Sequence, residues 1–123
     1  MITLLAVSAA SAVGAPARYL LDKAVAARRD SALPLGTMAV NVSGAFLLGL
    51  LTGLAAHHGL PRSVFLVLGS GFCGAYTTFS TFSYETMRLV EEGSIAEATA
   101  NVAVSLGAGL AAAGAGLGLA LLL

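Results

Sequence analysis

Four apolar runs, each long enough to cross a bilayer, are separated by short clumps of charge in this 123-residue chain. A helical span needs about 20 mostly apolar residues. The runs extend from about Ile2 to Leu21, Leu35 to His57, Ser63 to Leu89 and Ala98 to Leu123. Between the spans, Asp22 to Asp30 holds five charges and Glu91 to Glu97 three. Only 10% of the residues are charged and 58% are hydrophobic, too few charges for the mixed surface of a soluble domain. The pattern predicts an all-α integral membrane protein, one domain over residues 1–123 with four transmembrane helices. Short connections predict antiparallel neighbours. Pro34 and Pro61 suit the approaches to helices two and three, where a missing N–H costs little.

Several function classes fall away. Formal net charge is zero, which argues against a nucleic-acid partner. The single Cys73 excludes an internal disulfide. His57 and His58 lack a nearby ligand cluster, so a side-chain metal site is not expected. No Ser-His-Asp set, phosphate loop or paired-carboxylate site is present, so the chain is not expected to be an enzyme. Ala9 to Ala15 resembles a signal-peptidase site. No Lys or Arg precedes that apolar run, so cleavage is not expected.

Polar and small residues form stripes. Ala10, Gly14, Arg18 and Asp22 share one face of helix one. Thr37, Asn41, Ala45, Gly49 and Gly53 do so on helix two, and Asn101, Ser105, Gly109 and Ala113 on helix four. Small residues let membrane helices approach, and polar ones bond between them. Packing accounts for the glycines, including Gly49-xxx-Gly53 and Gly114-xxx-Gly118. Asn41 asks for more, because an amide at membrane depth needs several partners. A thin four-helix bundle cannot bury all these stripes, which points to a dimer.

The third span contains Gly71-Phe72-Cys73-Gly74-Ala75-Tyr76-Thr77-Thr78-Phe79-Ser80-Thr81-Phe82-Ser83-Tyr84-Glu85. Lipid does not tolerate such a run unless it faces protein or a polar path. Gly71, Gly74, Thr77 and Thr78 weaken helix propensity in mid-span. A break there would free carbonyls, for a cation to coordinate or for threonine hydroxyls to satisfy. Phe79 and Phe82 lie three apart on one helical face. Ring edges are positive and could line the route of a small anion. Asn41, Thr77, Ser80 and Thr81 offer donors, and binding without a full charge is weak enough for the ion to leave. The same two rings also fit ordinary packing. Arg18 and Glu85 are the charges nearest the spans; Arg18 could pair with Asp22, and Glu85 with Arg88.

These residues carry a family likeness. The run from Gly71 to Glu85 resembles the signature of the Fluc/CrcB fluoride channels. Gly14-Ala15-Pro16-Ala17-Arg18-Tyr19 and Gly36-Thr37-Met38-Ala39-Val40-Asn41-Val42-Ser43-Gly44 support it, and the likeness covers essentially the whole chain. It implies an antiparallel dual-topology homodimer with two pores, exporting cytoplasmic fluoride passively across a prokaryotic plasma (inner) membrane. Phe79 and Phe82 match the pore phenylalanines, Asn41 the pore asparagine, and Ser80 and Thr81 the polar residues beside that path. Thr77 and Ser105 match a polar track. Gly74 and Ala75 match the break in helix three, whose carbonyls hold a structural sodium ion (Na+) at the dimer centre. Arg18 and Glu85 match charged vestibule positions. The implied partners are fluoride, the lipid bilayer and a second copy.

Lys23, Arg28, Arg29 and Arg88 fall on one side of this topology and Arg62 on the other. The positive-inside rule would place both termini outside, so a homologous partner subunit is an alternative to the homodimer. Two rival functions differ in class. A small multidrug-resistance-type exporter resembles this layout but carries a glutamate within helix one, where this chain has no acid before Asp22. A non-transporting helical assembly subunit accounts for the stripes but not for Asn41 with Phe79 and Phe82.

Overall fold

The structure, a computed structural model, describes residues 1–123. Helix α1 is Ile2–Arg28, α2 is Leu35–His57 and α5 is Ile95–Leu122. The third span, Arg62–Glu91, is divided into α3 (residues 62–76) and α4 (Phe79–Glu91). All four spans are long and apolar enough to cross a membrane, and there are no strands. Two boundaries differ from the sequence reading. Helix α1 continues past Leu21 to Arg28 because the charged segment after it is rich in good helix formers. Helix α5 starts at Ile95, earlier than Ala98. Gly93 takes φ +80 and the Ser94 N–H bonds the Leu89 carbonyl, so α4 ends and the chain reverses within two residues.

Helix α2 packs chiefly against α5, and glycine makes the approach possible. A Cβ on Gly49 would overlap the Ala113 carbonyl, and one on Gly116 the Phe46 carbonyl. At Gly53 it would lie 2.5 Å from the Ala120 methyl. Gly49-xxx-Gly53 is therefore a packing motif. Within the chain Gly114 and Gly118 pack on nothing: a Cβ on either would meet nothing within 4 Å, and Gly116 makes the contact with α2 instead. Helix α1 lies against α3 in the same manner. A Gly14 Cβ would sit 2.5 Å from the Phe72 carbonyl, and a Gly71 Cβ 2.9 Å from that of Val7. Only 15 of 123 residues are buried, so the chain alone leaves most of its surface to lipid or to another chain.

The third span is irregular twice. Leu66–Cys73 is wound as a π-helix, a form that clusters at functional sites. Ser11 Oγ reaches across from α1 to the Gly71 carbonyl at 3.1 Å. The chain then breaks at Thr77 (φ −80, ψ 160) and Thr78 (φ −147, ψ 121), both extended. The break thus falls beyond Gly74 and Ala75, which are still helical. The family likeness implied the earlier site, whereas the weak helix formers Thr77 and Thr78 mark the later one, which contacts from α2 impose.

Candidate functional site

Thr78 is held by Asn41 through both of its backbone groups. The Thr78 N–H donates to Asn41 Oδ1 at 2.8 Å, and Asn41 Nδ2 donates to the Thr78 carbonyl at 2.8 Å. This clamp takes the Thr78 N–H away from the Gly74 carbonyl, its partner in a continued helix. Thr78 then caps α4: its Oγ1 accepts from the Thr81 N–H at 3.1 Å and donates to Thr81 Oγ1 at 3.1 Å. The cap withdraws the Thr81 N–H from the Thr77 carbonyl. Four consecutive carbonyls at mid-span, those of Gly74, Ala75, Tyr76 and Thr77, therefore lack the donors that a continued helix would give them.

Helix α2 is shaped to receive the break. Gly44 has no side chain where the Thr77 methyl lies, and the Tyr76 ring is 3.3 Å from the same point. Tyr76 stacks on Phe72 with centroids 5.4 Å apart, and its hydroxyl meets Ser43 Oγ at 2.8 Å. Sequence reasoning missed Thr78, Gly44 and Ser43 as parts of this arrangement. The signal for Thr78 was there: a threonine three residues before Thr81, opening an apolar-periodic stretch, has the spacing of an N-cap.

A groove of about 410 Å³ runs beside the break. It brings together Asn41, Thr77, Phe79, Phe82 and Ser105 with Gly74. The Phe79 and Phe82 rings are 5.9 Å apart and tilted by 42°. Two expected donors are already engaged: the Thr77 hydroxyl donates to the Cys73 carbonyl at 2.9 Å, and one Asn41 N–H to Thr78. The second Asn41 N–H makes no hydrogen bond within the chain, and Asn41 and both rings line the groove. Phe79 is 79% exposed, so in this subunit the groove is open on one side.

The other predicted residues distribute around it. Arg18 and Thr81 line a cavity of about 210 Å³ on the far side of Thr78, which lines both spaces. Glu85 lines a third, of about 380 Å³, with Arg29 and Arg88. Ser80 is exposed and lines none of the three. Ala75 is half-buried and also lines none. The two ion pairs suggested from spacing do not form. Arg88 instead pairs with Glu92 across 3.7 Å, and Glu85 Oε2 is buried without a hydrogen-bond partner. The Asp22 carboxylate lies in the space left by Gly36, in the first turn of α2, where the helix dipole favours it. No cluster of His, Cys, Asp or Glu could hold a metal, so any cation site here would be built from carbonyl oxygens.

The arrangement has relatives. Over 92 residues the chain is 53% identical to the fluoride-specific ion channel FluC 1 of Nocardia farcinica, covering 75% of this chain and 62% of the relative. To the FluC 1 of Streptomyces avermitilis it is 52% identical over 97 residues, 79% of this chain and 78% of that one. To the FluC of Geobacter sulfurreducens it is 50% identical over 103 residues, 83% of each. The family described as CrcB-like protein, Camphor Resistance (CrcB), matches residues 5–117. With the match extending over nearly its whole length, from the start of α1 to the last turns of α5, this chain belongs to the CrcB family.

Proposed function

We propose that this chain is one subunit of a passive, fluoride-selective channel. The observation that carries the reading is the groove in which Asn41, Phe79 and Phe82 meet beside a helix break, in a chain whose relatives are named fluoride-specific ion channels. Fluoride is small and strongly hydrated, so a selective path must replace its water closely. Positive ring edges and an amide N–H do this without the full charge that would trap the ion. Hydrogen fluoride crosses membranes neutral and ionises inside. A channel driven by the membrane potential then suffices for export from a prokaryotic cytoplasm, and no pump is needed.

The working unit is a homodimer with the two copies antiparallel. The exposure of Phe79 and the small buried fraction support a second copy closing the groove. Each copy then contributes one groove, giving two pores. At the dimer centre the carbonyls of Gly74 and Ala75 would hold sodium. They are hard oxygen ligands at membrane depth, and both have lost their helical donors. Held by these carbonyls, sodium would supply a fixed positive charge.

The test is fluoride efflux from potassium-loaded proteoliposomes after valinomycin, with chloride as the parallel control. Rapid fluoride loss without chloride loss is the expected outcome. Assembled protein that releases neither ion would refute the reading.

A further inference from the structure

The two walls of the groove are tied to each other by side chains that do not line it. Asn101 on α5 is 1% exposed. A buried amide at membrane depth requires partners at both ends. Its Nδ2 donates to Thr86 Oγ1 on α4 at 2.8 Å, and Ser105 Oγ donates to its Oδ1 at 3.4 Å. Thr86 Oγ1 in turn donates to the Phe82 carbonyl at 2.8 Å. Phe82 stands in the α4 wall of the groove and Ser105 in the α5 wall. The sequence of bonds is therefore Ser105 to Asn101, Asn101 to Thr86, and Thr86 to Phe82.

We propose that Asn101 and Thr86 are positioning residues that fix the separation of Phe82 from Ser105 and so set the anion selectivity of the groove. The inference rests on the groove being the conduction path. Helix α4 emerges from two extended residues, so α3 does not dictate its position. Its start is fixed by the clamp of Asn41 on Thr78, which belongs to α2. Asn101 fixes it two turns later, from α5. The Thr86 hydroxyl that accepts from Asn101 is itself tied to the Phe82 carbonyl four residues back, so the bond from α5 bears on the turn that carries Phe82. For an ion as small as fluoride, a shift of one wall changes how well its water is replaced.

The test compares Thr86→Val, Thr86→Ser, Asn101→Leu and the Thr86→Val/Asn101→Leu double variant in the vesicle assay, each as assembled dimer. Thr86→Val and Asn101→Leu should each lower fluoride efflux at least about tenfold, given how steeply function falls with small displacements. Both should admit chloride. The double variant should be no worse than the poorer single, because both break one connection. Thr86→Ser keeps the hydroxyl and should conduct like the parent. A merely structural role would lower the melting temperature and leave the fluoride-to-chloride ratio unchanged; that outcome overturns the inference. Phe82→Ile is run alongside. If it conducts normally, the groove reading falls and the inference with it. If it is silent while Thr86→Val and Asn101→Leu conduct like the parent, this inference alone falls. Should Thr86→Val fail to assemble, Thr86→Ala reads the same bond.

Discussion

The α2–α5 pair and the third span meet the same demand in opposite ways. In hydrocarbon every backbone N–H and C=O must be satisfied within the protein. Helices α2 and α5 do so by themselves, as uninterrupted helices of 23 and 28 residues. Between themselves they mesh mainly by shape, through Gly49, Gly53 and Gly116, with a polar bond only at the end of the pair, where His58 Nε2 meets the Ala120 carbonyl at 2.7 Å. The third span does not satisfy itself. Its π-turn borrows the Ser11 hydroxyl from α1, and its break borrows the whole Asn41 amide from α2. A regular helix can be a wall for any purpose. An irregular one persists only where other helices provide bonds, so the polar residues that reach across mark the working part of the molecule.

The strongest way to break this comparison is to damage the regular pair. In Gly116→Val the new side chain would start where the Phe46 carbonyl stands, and carbonyl oxygens of a helix cannot move aside. Overpacking of this kind costs about 3 kcal/mol or more when backbone is the obstacle. The expected outcome is loss of the folded assembly, seen as aggregated protein on size exclusion in detergent. A monodisperse variant with normal flux would show that α2 and α5 are not the rigid wall they are taken to be.

Damage to the irregular span should separate conduction from assembly. Phe79→Ile and Phe82→Ile keep bulk and hydrophobicity but remove the ring edges. Phe79 is mostly exposed in the subunit, and no hydrogen bond depends on either ring. Both variants should elute as the parent does, with fluoride efflux reduced to that of empty vesicles. Normal flux in both would return the two rings to ordinary packing.

Much of this contrast could be seen in the sequence, and the lost part has a cause. Helix α2 matches its predicted bounds, Leu35–His57, because apolar length alone decides a span. The polar run in the third span marked the right region, and Asn41, Phe79, Phe82, Thr77 and Ser105 do share a groove. The break itself was placed too early. Local propensity covered Gly71, Gly74, Thr77 and Thr78 alike, and it was the family likeness that put the break at Gly74 and Ala75; glycine in a bilayer helix is tolerated when nothing competes for its bonds. Thr77 and Thr78 open because Asn41, 37 positions away, takes both backbone groups of Thr78. The part played by Asn101 was hidden for the same reason. Its position in a stripe was plain, but its partner Thr86 belongs to another helix. Which of two GxxxG motifs packs was equally a matter of rotation about the helix axis: Gly49 and Gly53 face α5, whereas Gly114 and Gly118 face outward.

That outward pair gives the smallest effect and the finest test. A methyl added at Gly114 meets nothing within 4 Å, and Gly114 is exposed in the subunit. Gly114→Ala should therefore leave both elution and fluoride efflux as in the parent. Higher helix propensity should add at most about 1 kcal/mol of stability, read as a small rise in melting temperature. The same substitution behaves differently if a second copy packs on this face. Small residues mark close helix contacts in membranes, and a methyl there would force the copies apart. Loss of the dimer in Gly114→Ala would move the subunit interface to the outer face of α5. Phe79 would then face lipid, and the open side of the groove would need another cover. An unchanged dimer leaves the exposed ring of Phe79 as the place where the second subunit belongs.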